Sequence, residues 1–417
     1  MMSPELISIG ALGVMFVVAT LLPINIGILA FIGAFVVGTA SLGLSEDEIF
    51  EGFPVSLFVT IVGVTYLFSV AQRNGTIDLL VRVGIRLVRG KAALVPWVLF
   101  GVAAVLTAFG TFTPAAVALL VPVGMNFAYR YGISQLMVGM MVISGAHAGA
   151  FSPIAVSGAL VLGMVDSTPL AVSPLALFLA SFAFNALLSA LTFLMLRRTN
   201  PEAAPEQVAE EAEESGAARV TWRQGLTLVA LAVLVIGALG FHLEIGFLAL
   251  AAGAVLALVD MKNQSKAVEG ISWHTILLVA GMVTYVGILE KAGTIETISH
   301  GAAGMGAPLF VALLLCLVVA VVSAFASSTA ILTAIIPIAV PLLLASHLSA
   351  VGLVAALAIS TTIVDTSPFS TNGALVLSNA RGVDRERFYK RIIGYTAGIV
   401  GIGPVLAWGF LVLPASL

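Results

Sequence analysis

Charge is scarce in this sequence. Asp, Glu, Lys and Arg make up 9% of its 417 residues, while 60% are hydrophobic. A soluble domain carries roughly 25% charged residues, so this scarcity excludes an ordinary globular domain and points to a polytopic membrane protein. No basic cluster of the kind that tracks a phosphate backbone is present, which argues against a nucleic-acid partner. The single cysteine, Cys316, excludes an internal disulfide, and its apolar surroundings make it a packing residue. No Lys or Arg precedes Arg73, so the first apolar run lacks the basic region of a signal peptide and is expected to be a retained span. GxxxxGK[ST], HExxH, GxSxG and paired metal-ligand spacings are all missing. That argues against an ATP-driven pump and a membrane hydrolase, and leaves neither an enzymatic reaction nor a resident cofactor to expect.

What is present is a series of apolar runs of spanning length. Residues 5–21, 24–42, 54–72, 172–196, 223–240, 243–259, 272–289 and 390–412 are candidate membrane helices, the first two joined tightly at Pro23. Two longer regions, 93–128 and 306–345, each read as two apolar arms around an uncharged polar break, at Gly110–Pro114 and Ala326–Ala330. Two others, 133–165 and 349–379, read as spans interrupted at Gly149–Gly158 and Val364–Gly373. Residues 75–91 carry Arg82, Arg86 and Arg89 at helical spacing, which suits an amphipathic interfacial helix or a basic loop. A second interfacial piece is expected near 293–303. Residues 199–222, with six glutamates among Ala, Pro and Ser, read as a solvated acidic linker.

The two flanking regions, 1–198 and 223–417, repeat each other. INIGILA at 24–30 matches LEIGFLA at 243–249, and NGTIDLL at 74–80 matches AGTIETI at 292–298. AFGTFT at 108–113 matches AFASST at 324–329, and SPIAVSGALVL at 152–162 matches SPFSTNGALVL at 367–377. The order is kept. Each half then holds five spans, one of them broken, and a two-armed segment. An odd number of spans inverts the second half relative to the first. Seventeen of the 18 Lys and Arg fall on one side of that topology, leaving Lys291 alone on the other. By the positive-inside rule the crowded side is cytoplasmic, both termini face outward, and the linker lies inside. The expected fold class is therefore an all-α polytopic protein of the inner or plasma membrane, built from two inverted-topology repeats. Broken helices in such repeats are a pattern of secondary transporters. The two-armed segments are re-entrant hairpins, an inner one at 93–128 and an outer one at 306–345, or else pairs of complete crossings. Both arrangements give the same parity.

The four breaks supply the candidate site. The run from Ser360 to Gly373 places a carboxylate, hydroxyls, an amide, a proline and a glycine inside an apolar region, where irregular backbone is tolerated only against protein or a wet cavity. Asp365 is the carboxylate expected deep in a span, and its counterpart in the first half is Ala150. The candidate cation ligands are Asp365, Ser327, Thr329 and Ser370, with Thr111, Thr113 and Gly149 in the first half. No Lys or Arg lies in the interior of any expected span; Arg223, Lys390 and Arg391 stand at span ends. An anionic substrate is thus to be held by amides, hydroxyls and helix ends: Thr111, Thr113, Pro114, Ser152, Pro153 and Ser157 from the first half, and Ser328, Thr329, Ser367, Pro368, Thr371 and Asn372 from the second. This favours cation-coupled symport of an anion. His147 is at depth and reads as a proton relay or as a neutral ring bonded to a carbonyl. His242, His274, His300 and His347 sit near span ends and suggest no ligand role.

Longer segments carry a resemblance. INIGILAFIGAFVVG, EIFEGFPVSLFVTIVGVTYLFSVAQRNGTIDLLVR and LVRGKAALVPWVLF resemble the N-terminal half of the MatC-type malonate/dicarboxylate carriers. GAHAGAFSPIAVSG and DTSPFSTNGALVLSN continue the likeness. These carriers are relatives of the divalent anion–sodium symporters of the ion transporter superfamily. The resemblance implies a homodimer of scaffold and transport domains with elevator-like alternating access, and hairpin tips whose Ser-Asn-Thr motifs bind sodium and carboxylates. Ser327-Ser328-Thr329 is similar to that motif with Ser in place of Asn, whereas Thr111-Phe112-Thr113 departs further. Asn372 is placed to supply an amide instead. The expected function is symport of a small dicarboxylate such as malonate or succinate with Na⁺ or H⁺. The alternatives are a sodium–proton antiporter exchanging at Asp365 and a membrane subunit that needs a binding protein.

Overall fold

The computed structural model describes all residues except 1–2, 23, 89–91, 167, 169, 198–219, 242, 260–263, 298–307, 326, 345 and 415–417. The Pro23 joint, nearly all of the acidic linker and the end of the second interfacial piece therefore lie outside the described residues. Regular structure among the described residues is helical throughout. In the first half it runs α1 (Pro4–Leu21), α2 (Ile26–Leu42), α3 (Glu46–Phe50), α4 (Val55–Arg73), α5 (Thr76–Val88), α6 (Val95–Ala108), α7 (Thr113–Tyr131), α8 (Gln135–Ala150), α9 (Val156–Asp166) and α10 (Pro174–Leu196). The second half runs α11 (Trp222–Gly240), α12 (Ile245–Val259), α13 (Gln264–Glu269), α14 (Trp273–Lys291), α15 (Pro308–Ser323), α16 (Ser328–Leu344), α17 (Ala350–Thr362), a 3₁₀ turn (Ile363–Thr366), α18 (Thr371–Asn379) and α19 (Arg385–Ala407), which ends in a π turn (Trp408–Val412). Each apolar run of the sequence is a helix within a few residues of its expected bounds. The breaks fall where polar residues interrupt the runs. Among the described residues, five segments are long and apolar enough to cross a membrane: Val55–Arg73, Pro174–Leu196, Trp273–Lys291, Ala350–Asn379 and Arg385–Val412.

Local chemistry explains the sequence identities between the halves. Gly75 and Gly293 follow α4 and α14 with φ of 78° and 74°, a left-handed conformation that a side chain would strain. Ser134 and Ser349 cap α8 and α17 by accepting from the N–H groups of Met137 and Gly352. Behind each of these helices the chain turns in the same way. Ser152 N–H donates to the Gly149 carbonyl and Ser367 N–H to the Val364 carbonyl, each at 3.0 Å. The two serine hydroxyls then accept from the N–H groups of Ile154 and Phe369. The next helix folds back so tightly that a Cβ on Gly158 would lie 2.0 Å from the Ser152 carbonyl oxygen, and one on Gly373 would lie 2.1 Å from that of Ser367. The repeated Ser-Pro-x4-Gly is thus a backbone requirement of the break. α5 is the amphipathic helix anticipated for 75–91: Arg82 and Arg86 are exposed, while Ile77 and Val81 are buried on the side facing α6.

The two halves interlock. α2 packs along α14, and α12 along α4. Both crossings are backbone against backbone. A Cβ on Gly27 would lie 2.0 Å from the Leu277 carbonyl oxygen and one on Gly281 2.0 Å from that of Gly27; one on Gly63 would lie 2.3 Å from the Gly246 carbonyl oxygen. Without a hydrophobic drive between helices in lipid, such close approach is what holds spans together. Two further clusters form, α6–α7–α8–α10 and α15–α16–α17–α19, joined by α7 against α18 and α16 against α9. Cys316 is fully buried in the second cluster. Gly281→Leu is expected to abolish a monodisperse peak on size-exclusion chromatography in detergent. Gly394→Leu, where an added Cβ meets nothing within 4 Å, is expected to leave it intact.

Candidate functional site

The interlock brings broken-helix ends together. A cavity of about 650 Å³ is lined by Thr113 and Pro114 at the start of α7, Ser157 at the start of α9, Ser328 and Thr329 at the start of α16, and Thr371 and Asn372 at the start of α18. Its other wall is made by Asn25 and Ile26 at the start of α2, by His274 and Thr275 at the start of α14, and by α1. Six helix N-termini therefore border one space. Each brings backbone N–H groups without intrahelical partners and the positive end of a helix dipole. Among the described residues the lining holds no Lys, Arg or Glu, and its one carboxylate is Asp365.

Asp365 sits on the 3₁₀ turn between α17 and α18, with its side chain 16% exposed. The Ser328 hydroxyl donates to Asp365 Oδ1, so the carboxylate rests on the tip between α15 and α16. Ser323 Oγ lies 3.0 Å from Ser328 Oγ and 2.7 Å from the Thr361 carbonyl, tying that tip to α17. Asp365 does not cap the following helix. Ser370 does, by accepting from the Gly373 N–H. His147, in the last turn of α8, is 2% exposed. Its Nε2 lies 3.6 Å from Asp365 Oδ2, and neither ring nitrogen has a hydrogen-bond partner among the described residues. The carbonyl-bonded ring anticipated from burial is therefore replaced by one facing the free oxygen of Asp365.

Of the sequence-predicted site residues, Thr113, Pro114, Ser157, Ser327, Ser328, Thr329, Asp365, Ser370, Thr371 and Asn372 meet at the cavity. Six others lie elsewhere. Ser152, Pro153, Ser367 and Pro368 build the turns behind it. Gly149 packs on α6, where a Cβ would lie 2.0 Å from the Ala104 carbonyl oxygen. Thr111 faces a separate small cavity with Thr65, Ser69, Gln72 and Ser272, its hydroxyl oxygen buried without a partner among the described residues. Sequence reading missed Asn25 and His274, which approach from the far wall. One signal for the first was available: Asn25 aligns with Glu244 in the repeat, an amide against a carboxylate in otherwise apolar motifs.

Residues 2–150 match the family described as the dicarboxylate carrier protein MatC N-terminus. Comparison with curated proteins gives no match. Among solved structures, the fold is similar to the crystal structure of the Alcanivorax borkumensis YdaH transporter, reported with an unusual topology. The match has a TM-score of 0.62 and 15% sequence identity, and covers 89% of this chain and 88% of that chain. At that identity the likeness is one of fold. Residues 2–150 are thus similar to the N-terminus of the MatC dicarboxylate carrier protein, and the all-helical chain shares its fold with the YdaH structure.

Proposed function

We propose that the chain is a secondary transporter that takes up a small dicarboxylate, such as malonate or succinate, together with a cation, Na⁺ in the first instance and H⁺ as the alternative. One observation carries this reading: among the described residues, six helix N-termini border a cavity lined by no Lys or Arg. Such a lining suits an anion held by N–H groups and hydroxyls. Asp365, hydrogen-bonded by Ser328 at the tip of 306–345, supplies the opposite requirement, a negative site for a cation. In this reading Ser327, Thr329 and Ser370 complete the cation position, and Thr113, Ser157, Thr371 and Asn372 address the substrate. The two-armed segments serve as re-entrant hairpins; α6 has 14 residues, and at about 1.5 Å per residue it is shorter than the roughly 30 Å of hydrocarbon. Elevator-like movement in a homodimer belongs to the same reading by family resemblance.

The test is uptake of labelled malonate and succinate into proteoliposomes at fixed pH, with and without a Na⁺ gradient. Cation-driven accumulation by the purified chain alone is expected. It would also remove the need for a binding protein. A second reading, sodium–proton exchange, is favoured by the 3.6 Å approach of His147 to Asp365. An exchanger of that kind moves no dicarboxylate.

Orientation is part of the proposal. With the basic side cytoplasmic, a cysteine at the exposed Ser265 should resist an impermeant thiol reagent added to intact cells, and one at the exposed Glu290 should react, both in a Cys316→Ser background. The opposite labelling pattern reverses the orientation. Thr294 is a poor reporter because it is buried against Ser8, 2.7 Å between hydroxyl oxygens.

A further inference from the structure

We propose that His274, held in place by Asn25, reads the second carboxylate of the substrate and sets the preference for a dicarboxylate over a monocarboxylate; this rests on the dicarboxylate reading above. The orientation of the Asn25 amide is fixed by its neighbours. Its Oδ1 accepts from the Gly27 N–H at 2.8 Å, and its Nδ2 donates to the His274 carbonyl at 2.9 Å. The same Nδ2 lies 3.1 Å from His274 Nδ1. An amide nitrogen only donates, so Nδ1 is the acceptor, and the proton of the neutral ring sits on Nε2. That Nε2–H has no protein partner among the described residues, and His274 lines the cavity as an exposed side chain. Of the two histidines in the lining, His147 faces Asp365, and His274 is the one whose donor is free for an incoming anion.

The wall of broken-helix ends offers N–H groups and hydroxyls at the starts of α16 and α18. A substrate with one carboxylate seated there still has a second to satisfy. The wall of α2 and α14 meets that need with a ring N–H whose direction is set by a clamped amide, so little ordering is left to be done on binding. The arrangement is one-sided. At the position equivalent to Asn25, Glu244 accepts from Thr60 Oγ1 at 2.9 Å and from the Phe247 N–H at 2.8 Å. Its carboxylate would repel an anion.

Asn25 and His274 also tie α2 to α14 beside the Gly27–Gly281 crossing, and that structural role must be told apart from recognition. The experiment is competition against labelled dicarboxylate exchange in proteoliposomes, comparing succinate with butyrate and malonate with propionate. His274→Leu is expected to weaken succinate and malonate by about tenfold to a hundredfold, the range of a hydrogen bond to a charged group, while butyrate and propionate keep their weak wild-type inhibition. His274→Gln, which retains an N–H donor, is expected to restore most of the difference. Asn25→Ala is expected to move discrimination in the same direction by a smaller factor. Equal weakening of both acid classes, or no change, overturns the assignment while wild-type dicarboxylate exchange preserves the functional reading. Absence of dicarboxylate exchange in the wild type overturns both.

Discussion

Replacing Asp365 by Asn is expected to weaken apparent cation affinity by at least about thirtyfold, the effect of truncating a buried charge partner, and with it to abolish uphill accumulation. The side chain keeps its size, and the Asn oxygen still accepts from Ser328, so the junction of the 3₁₀ turn and the hairpin tip should persist. Only the charge is lost. In a cavity without Lys or Arg that charge is the principal attraction for a coupling cation, and in a low-dielectric site it must be met by a cation or a proton. Dicarboxylate exchange at saturating cation should survive in part, because the helix N-termini that address the anion are untouched. A purely structural Asp365 predicts otherwise. Asn would then serve nearly as well, and uptake plotted against Na⁺ and against pH would superimpose on wild type. The most familiar structural role, capping the next helix, already belongs to Ser370. Measuring both dependences on this one variant also separates Na⁺ from H⁺ as the coupling ion, because the affected curve identifies the ion that Asp365 holds.

Much of this architecture was legible because bilayer-length apolar runs leave few alternatives to helix. The breaks were legible too, since hydroxyls, Pro and Gly in an apolar run must be satisfied by something other than lipid. What the pattern did not separate was two kinds of polar residue within one break. Ser152 and Ser367 look like ligands in the sequence, yet their hydroxyls and carbonyls close turns, and Gly158 and Gly373 exist to let those turns close. Identity between the halves therefore marks the backbone of the break. Several cavity-facing positions are ones at which the halves differ, Asn372 against Ser157, Asp365 against Ala150 and Ser328 against Phe112, while Thr113 and Thr329 are shared. Asn25 and His274 were missed for another reason. They stand at the ends of ordinary spans, and only the interlock of α2 with α14 carries them to the breaks.

Asn372 offers the sharpest separation of fold from function. It is 2% exposed, it lines the cavity in the first turn of α18, and its Oδ1 has no hydrogen-bond partner among the described residues. An unpartnered buried polar atom costs folding free energy, about 1–3 kcal/mol. Leu has a similar volume and no such atom. Asn372→Leu is therefore expected to leave thermal stability in detergent unchanged or raised. Transport should move the other way. If the Asn372 amide donates to a substrate carboxylate, its removal costs the equivalent of a hydrogen bond to a charged group, about tenfold to a hundredfold in substrate affinity. Ser157, the counterpart in the first half, tests the same idea from the other side of the cavity, and Ser157→Ala should show a smaller loss. A single assay pair decides: a melting curve and a substrate saturation curve on Asn372→Leu. Raised or unchanged stability with lost affinity identifies a group kept for the ligand at the expense of the fold. A drop in stability with affinity intact would make Asn372 a packing residue, and the amide contact to the substrate would have to be sought at another N-terminus of the same cavity.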